Sequence, residues 1–80
     1  MQIKPIASNM TELNSDTANV LFSYSTPVAG SADGVGLFKT EKWFSQTTTR
    51  HINKYFRDVW DVDPDTVQTI PQEQIDALVK

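Results

Sequence analysis

Asn19-Val20-Leu21-Phe22-Ser23-Tyr24-Ser25 is the stretch on which the fold turns. Val20, Phe22 and Tyr24 fall on one side of an extended chain, Ser23 and Ser25 on the other, the period-two pattern of a strand with one buried face. Leu21 breaks that alternation and predicts that the second face is partly covered as well. Upstream, Asn14-Ser15-Asp16-Thr17-Ala18-Asn19 is a turn cluster, so residues 10–14 pair with 19–25 as a hairpin. Residues 1–8 contain Pro5, which cannot donate to a ladder and restricts them to an edge strand or an extended lead-in. Downstream, Pro27 keeps residues 25–29 extended or bent. Gly30-Ser31-Ala32-Asp33-Gly34 reads as a turn and Val35–Thr40 as the return strand of a second hairpin.

Working outward again, residues 39–56 hold the only histidine, four of the eight aromatic residues and much of the positive charge. Ser45 or Thr48 can cap a helix, since a hydroxyl accepts from the free amides of the first turn. Ile52, Tyr55, Phe56 and Val59 then recur at i, i+3, i+4 and i+7, one helical face. Trp43, Ile52, Tyr55 and Phe56 are expected to cover the sheet. Asp63-Pro64 ends or follows the helix, and Pro71, suited to the first helical position, opens a short second one with Ile75, Leu78 and Val79 on its buried stripe. The expected architecture is α+β: a small antiparallel sheet of two hairpins packed on one main helix, plus a short C-terminal helix. As one domain, 1–44 is mainly β, 45–60 the main helix, 61–69 an acidic loop and 70–80 the short helix.

Composition limits what such a chain can do. Eighty residues support one small core, burying roughly 60–65% of the surface of the unfolded chain. There are no cysteines, so neither disulfides nor a zinc-thiolate site can supplement it. No segment has the apolar run of a signal peptide or a membrane span, and a cytoplasmic location with no membrane contact is expected. The net charge of −3 is segregated: +4 over residues 35–57, −5 over 58–80 and −2 over 1–34. That separation keeps nucleic acid in view, where a uniformly acidic chain would argue against it.

Most catalytic and metal chemistries lack their residue patterns. Asp61, Asp63 and Asp65 have the first spacings of a calcium-binding loop, but Thr66 stands where that loop needs glycine and Gln72 where it needs glutamate. An acidic turn is the expectation, with no metal and no cofactor. No serine lies in a nucleophile-elbow pattern, and no partner is evident for His51, so it is read as a half-buried helix residue and no enzyme is expected.

Two binding surfaces remain. The first is the start of the main helix, where Ser45, Thr47, Thr48 and Thr49 offer hydroxyls beside free amides and the positive end of the helix dipole. Lys42, Arg50, His51, Lys54 and Arg57 add charge, and basic residues interleaved with aromatic ones suit a phosphate ligand or single-stranded nucleic acid. The competing reading is structural, with threonines as caps, Trp43 and Phe44 in the core and the lysines as a solvated face. The second surface is a protein-binding one built on Trp60 and Tyr24, residue types enriched at interface hot spots. Its partner would be another protein or a second copy of the chain, because opposed basic and acidic surfaces favour a homodimer.

Two segments, Val20-Leu21-Phe22-Ser23-Tyr24-Ser25-Thr26-Pro27-Val28-Ala29 and Lys42-Trp43-Phe44-Ser45-Gln46-Thr47-Thr48-Thr49-Arg50-His51-Ile52-Asn53-Lys54, together resemble a family of small uncharacterised bacteriophage and prophage proteins. That family has an S-Y-x-T-P-V-A strand followed by a K-W-S-x-T-T-x-[KR]-H-I-N-K segment. The likeness covers about residues 9–56. Phe44 departs from it, standing between Trp43 and Ser45 where the pattern runs Trp-Ser directly. The resemblance implies a phage origin and action in the cytoplasm of an infected host, and it implies no activity. The expectation is a non-enzymatic accessory protein that binds a protein partner, a host or phage protein or a second copy of itself, with nucleic-acid or phosphate binding as the alternative.

Overall fold

The structure, a computed structural model, describes residues 2–79. Strands β1 (Gln2–Ala7), β2 (Met10–Asn14), β3 (Ala18–Ser23), β4 (Thr26–Ala32) and β5 (Gly36–Thr40) form an antiparallel meander. Helix α1 (Gln46–Asp58) then crosses over, a 3-10 turn follows at Pro64–Thr66, and β6 (Gln68–Ile70) returns parallel to β5. Helix α2 (Gln72–Leu78) closes the chain. The result is a six-stranded mixed sheet, which corrects the expected two hairpins on one main helix. Met1 and Lys80, the ends of the expected domain and of the expected 70–80 helix, lie outside the described residues.

Three local causes account for the larger sheet. Gly30-Ser31-Ala32 belongs to β4 and not to a turn. A Cβ on Gly30 would meet the Asn19 carbonyl oxygen at 2.0 Å, so the glycine marks a close approach of two backbones. The fully buried Phe38 is its partner across β4 and β5. Second, β6 has only three residues, too few for a periodic signal, and it straddles the end of the expected 61–69 acidic loop and the start of the expected 70–80 helix. Third, Pro5 does not prevent β1 from pairing, because β1 is an edge strand whose register shifts between Pro5 and Ala7.

Leu21 behaves as its broken alternation predicts. On one face Leu21 packs with Met10, Val28, Ala29, Ile52, Tyr55 and Phe56, the side of α1. On the other, Val20 packs with Ala18, Ala32, Phe38, Ile70 and Ile75, the side of α2. Adjacent residues of a strand point to opposite faces, so the sheet is sandwiched between its two helices. The register shift between Leu21 and Phe22 adds one residue to β4 at Val28, which lets Val28 and Ala29 both join the α1 side.

Helix α1 is weak by local propensity and strong by packing. Its first turn holds three threonines and no acidic residue, so the macrodipole is complemented only by Arg57 at the far end. Burial of Thr48, Ile52, Tyr55 and Phe56 holds it in place. Val59, expected on that stripe, is the C-cap residue and exposed. Ser45 is the N-cap, its Oγ accepting from the Thr48 amide at 3.1 Å. Ser45→Ala is expected to lower stability by about 1 kcal/mol, read as a fall in the midpoint of urea unfolding.

A buried polar chain ties α1 to the sheet. Tyr55 Oη donates to Glu12 Oε2 at 2.5 Å, Asn14 Nδ2 donates to Glu12 Oε1 at 2.9 Å, and Asn14 Nδ2 also reaches Asn19 Oδ1 at 2.8 Å. Burial, and then the hydrogen bond to Glu12, push the Tyr55 hydroxyl well above its ordinary pKa. The Trp60 side chain opposes that rise, although its Nε1 is buried without an acceptor in hydrogen-bond geometry.

Candidate functional site

The start of α1, the first surface expected to bind, divides into an inner and an outer part. Inside, Ser23 Oγ at the end of β3 lies 2.7 Å from His51 Nδ1 and 3.1 Å from Thr48 Oγ1, while Ser45 Oγ donates to Thr48 Oγ1 at 3.2 Å. One proton order satisfies all three hydroxyls, running from Ser45 to Thr48 to Ser23 to an accepting His51 Nδ1. Nothing local in the sequence marks this contact, because Ser23 and His51 lie 28 positions apart on different elements. A serine hydroxyl on an imidazole is the first half of a nucleophilic pair. Ser23, however, is only 2% exposed, which denies a substrate access to Oγ. The cluster therefore anchors α1 to β3, and it occupies Ser45, Thr48 and His51, three of the expected anion-binding residues.

Others on the same helix are engaged as well. Thr49 Oγ1 donates to the Ser45 carbonyl at 3.1 Å, and Lys54 Nζ pairs with Asp58 at 2.7 Å across one helical turn. That pair is about half exposed on both sides, so Lys54→Ala is expected to change stability by less than about 0.5 kcal/mol in denaturant titration. Thr47 is half-buried, and Arg57 sits exposed in the last turn, far along the helix from Ser45.

Outside, the arrangement is more open. Phe44 packs against the core, whereas Trp43 is 70% exposed, against its expected place in the core. Trp43, Gln46, Thr49 and Arg50 line a shallow cavity of about 350 Å³. Lys42 Nζ sits 5.1 Å from the centre of the Phe44 ring, a cation–π distance, and Lys39 Nζ donates to the Pro64 carbonyl at 2.8 Å.

The second expected surface is changed by the sheet. Trp60 is half-buried against the α1-side core, so of the two residues expected there only Tyr24 stands out, 56% exposed. Tyr24 follows β3 in a left-handed conformation, φ 57°, uncommon for a bulky side chain, and its ring lies 5.6 Å from that of His51. With Ile3, Thr11, Leu13 and Phe22 it lines an apolar cavity of about 300 Å³ on strands β1 to β3. Register places Ile3 beside Leu13 and Thr11 beside Phe22, all on the α2 side of the sheet. Helix α2 packs chiefly over β4, and its core covers Ala18 and Val20 of β3, so the open part of this face lies over β1 and β2 and beside Phe22 and Tyr24 at the end of β3. Ile3 is 73% exposed. The strand pattern of Tyr24 and Phe22 points to this face; Ile3 and Leu13 carry no such signal, because the exposure of Ile3 and the half-burial of Leu13 depend on where α2 stops.

The acidic turn has its own explanation. Asp63 caps the 3-10 turn, its Oδ1 accepting from the Asp65 amide at 3.0 Å. Among the described residues no three His, Cys, Asp or Glu side chains converge as a metal site, and no helix is long and apolar enough to cross a membrane.

Fold and surfaces together define a small protein of three layers, a mixed sheet between two helices, with an uncovered apolar sheet face. The chain belongs to a family of unknown function, DUF8033, whose profile matches residues 1–77. No curated protein and no solved structure matches it.

Proposed function

We propose that the protein acts by binding a protein partner through the α2-side face of β1 and β2 together with the end of β3, as a phage-type accessory protein in the cytoplasm of an infected host. The observation that carries this reading is the exposure of Ile3 and Tyr24 around a cavity lined by Thr11, Leu13 and Phe22. Contiguous apolar surface of this kind marks interaction sites more often than scattered hydrophobic residues do. Ile3, Thr11, Leu13, Phe22 and Tyr24 carry no charge, so the fitting partner segment is apolar and neutral at its centre. An amphipathic helix laid over these strands, as α2 is laid over their neighbours, has that chemistry. The left-handed backbone at Tyr24 costs about 1–3 kcal/mol, and strain of that kind tends to be kept where a side chain must be presented. The phage setting rests on the resemblance of the segments around Tyr24 and Trp43 to phage proteins.

Ile3→Asp tests the reading. Ile3 is largely exposed, so the thermal midpoint is expected to move little. A protein retained from host lysate by the immobilised wild-type chain is expected to fall at least about tenfold, the effect of truncating one hot spot. Equal retention by both chains overturns the proposal.

A further inference from the structure

We infer a second, independent site: the cleft around Trp43 takes an unpaired base of single-stranded nucleic acid, with the adjoining phosphate on Arg50. An indole that is 70% exposed forgoes the burial aromatic side chains ordinarily supply, while its neighbour Phe44 takes the core position. Trp43 is moreover a shared wall. It borders the cavity with Gln46, Thr49 and Arg50 and also a smaller one of about 170 Å³ with Lys39, Thr40, Glu41, Lys42, Thr49, Ile52 and Asn53. An exposed indole at the junction of two recesses is open to a base, as a stacking platform must be.

The groups around it match the remainder of a nucleotide. Arg50 makes no ion pair or hydrogen bond among the described residues, so its guanidinium is available to a phosphate. Lys39, Lys42 and Arg50 face the two recesses against Glu41 alone, a positive excess on a chain that is negative overall. Glu41 can accept from the exocyclic amine of a base, and Gln46 and Asn53 can both donate and accept. A duplex hides its base faces in the stack, so a single protruding ring selects the single strand. The site lies between β5 and α1, away from the β1 to β3 face, so either can fail alone.

Fluorescence anisotropy of a labelled mixed-sequence single-stranded oligonucleotide of about twelve nucleotides tests it, titrated at about 20 mM salt where screening is weak. Binding is expected to weaken about tenfold or more in Trp43→Ala, a substitution at an exposed position that leaves the fold intact by circular dichroism. Arg50→Ala is expected to lower the slope of log affinity against log salt by about 0.7, one phosphate contact on a single strand. Ile3→Asp is expected to bind as the wild type does. The proposal is overturned if the oligonucleotide does not bind, if Trp43→Ala binds as well, or if a duplex or an acidic peptide of equal charge binds equally tightly.

Discussion

Gly30→Ala is expected to leave the chain without a stable folded state. Two penalties act together. The backbone at Gly30 has φ 152°, a conformation side-chain-bearing residues rarely adopt, and the new Cβ would stand 2.0 Å from the Asn19 carbonyl oxygen. That oxygen belongs to the backbone of the paired strand, so no rotamer change relieves the contact. A strained backbone costs about 1–3 kcal/mol and overpacking a similar amount, against the margin of only about 3–5 kcal/mol that cores of this size supply. Equilibrium urea unfolding followed by circular dichroism checks it, with Gly34→Ala as the control. Gly34 also has a positive φ, but nothing lies within 4 Å of its added Cβ, so its cost is expected to be the backbone term alone.

The second large effect is expected from Tyr55→Phe, a loss of about 2–3 kcal/mol at neutral pH. The substitution keeps the buried ring, which packs edge-on against Phe56, and removes the donor to Glu12. Glu12 is 5% exposed and would keep only Asn14 as its partner. The same residue sets an alkaline limit. Its hydroxyl releases a proton at a higher pH in the folded than in the unfolded chain. The associated stability is therefore complete below the ordinary tyrosine pKa of about 10 and is lost as pH rises through the folded value, by up to about 1.4 kcal/mol per pH unit. The stability advantage of the wild type over Tyr55→Phe is thus expected to shrink above about pH 10. A constant difference up to pH 11.5 or so would mean that Tyr55 is not held protonated by burial and Glu12.

These two residues also show how much of the molecule could be read in advance. The spacing of Tyr55 from Ile52 and Phe56 places it on the buried stripe of α1, and it lies there. Its partner was out of reach of periodicity, because Glu12 is a charged residue on a strand 43 positions away. Gly30 reads as a turn residue in the sequence, since a glycine needed for conformational freedom and one needed for lack of a Cβ look alike there. The Ser45 cap and the hairpin of β2 with β3 were legible, both being local. The strand β6 was not, for its three residues pair in parallel with β5 only after the whole of α1 has intervened.

The candidate surfaces follow the same division. The residues at the start of α1 are recognisable by type, but Ser45, Thr48 and His51 are taken up inside: Thr48 and His51 meet Ser23, a contact between two elements, and Ser45 donates to Thr48. Trp43 and Phe44 are adjacent aromatics, and only the packed structure assigns Phe44 to the core and Trp43 to solvent. The exposure of Ile3 depends on the length of α2, whose seven residues cover Val20 of β3 but not the cavity that Ile3 lines with the half-buried Leu13. A sequence reports which residues can be apolar neighbours; it does not report where cover ends.

The central claim is that the α2-side face of β1 to β3 meets a protein, and photocrosslinking tests it most directly. A photoreactive amino acid placed at Ile3, and separately at Asp33 in the exposed turn between β4 and β5, would be activated in host cells making the protein. The account predicts a discrete protein adduct from position 3, insensitive to nuclease, and none from position 33. No adduct from position 3, or the same adduct from both positions, would contradict it.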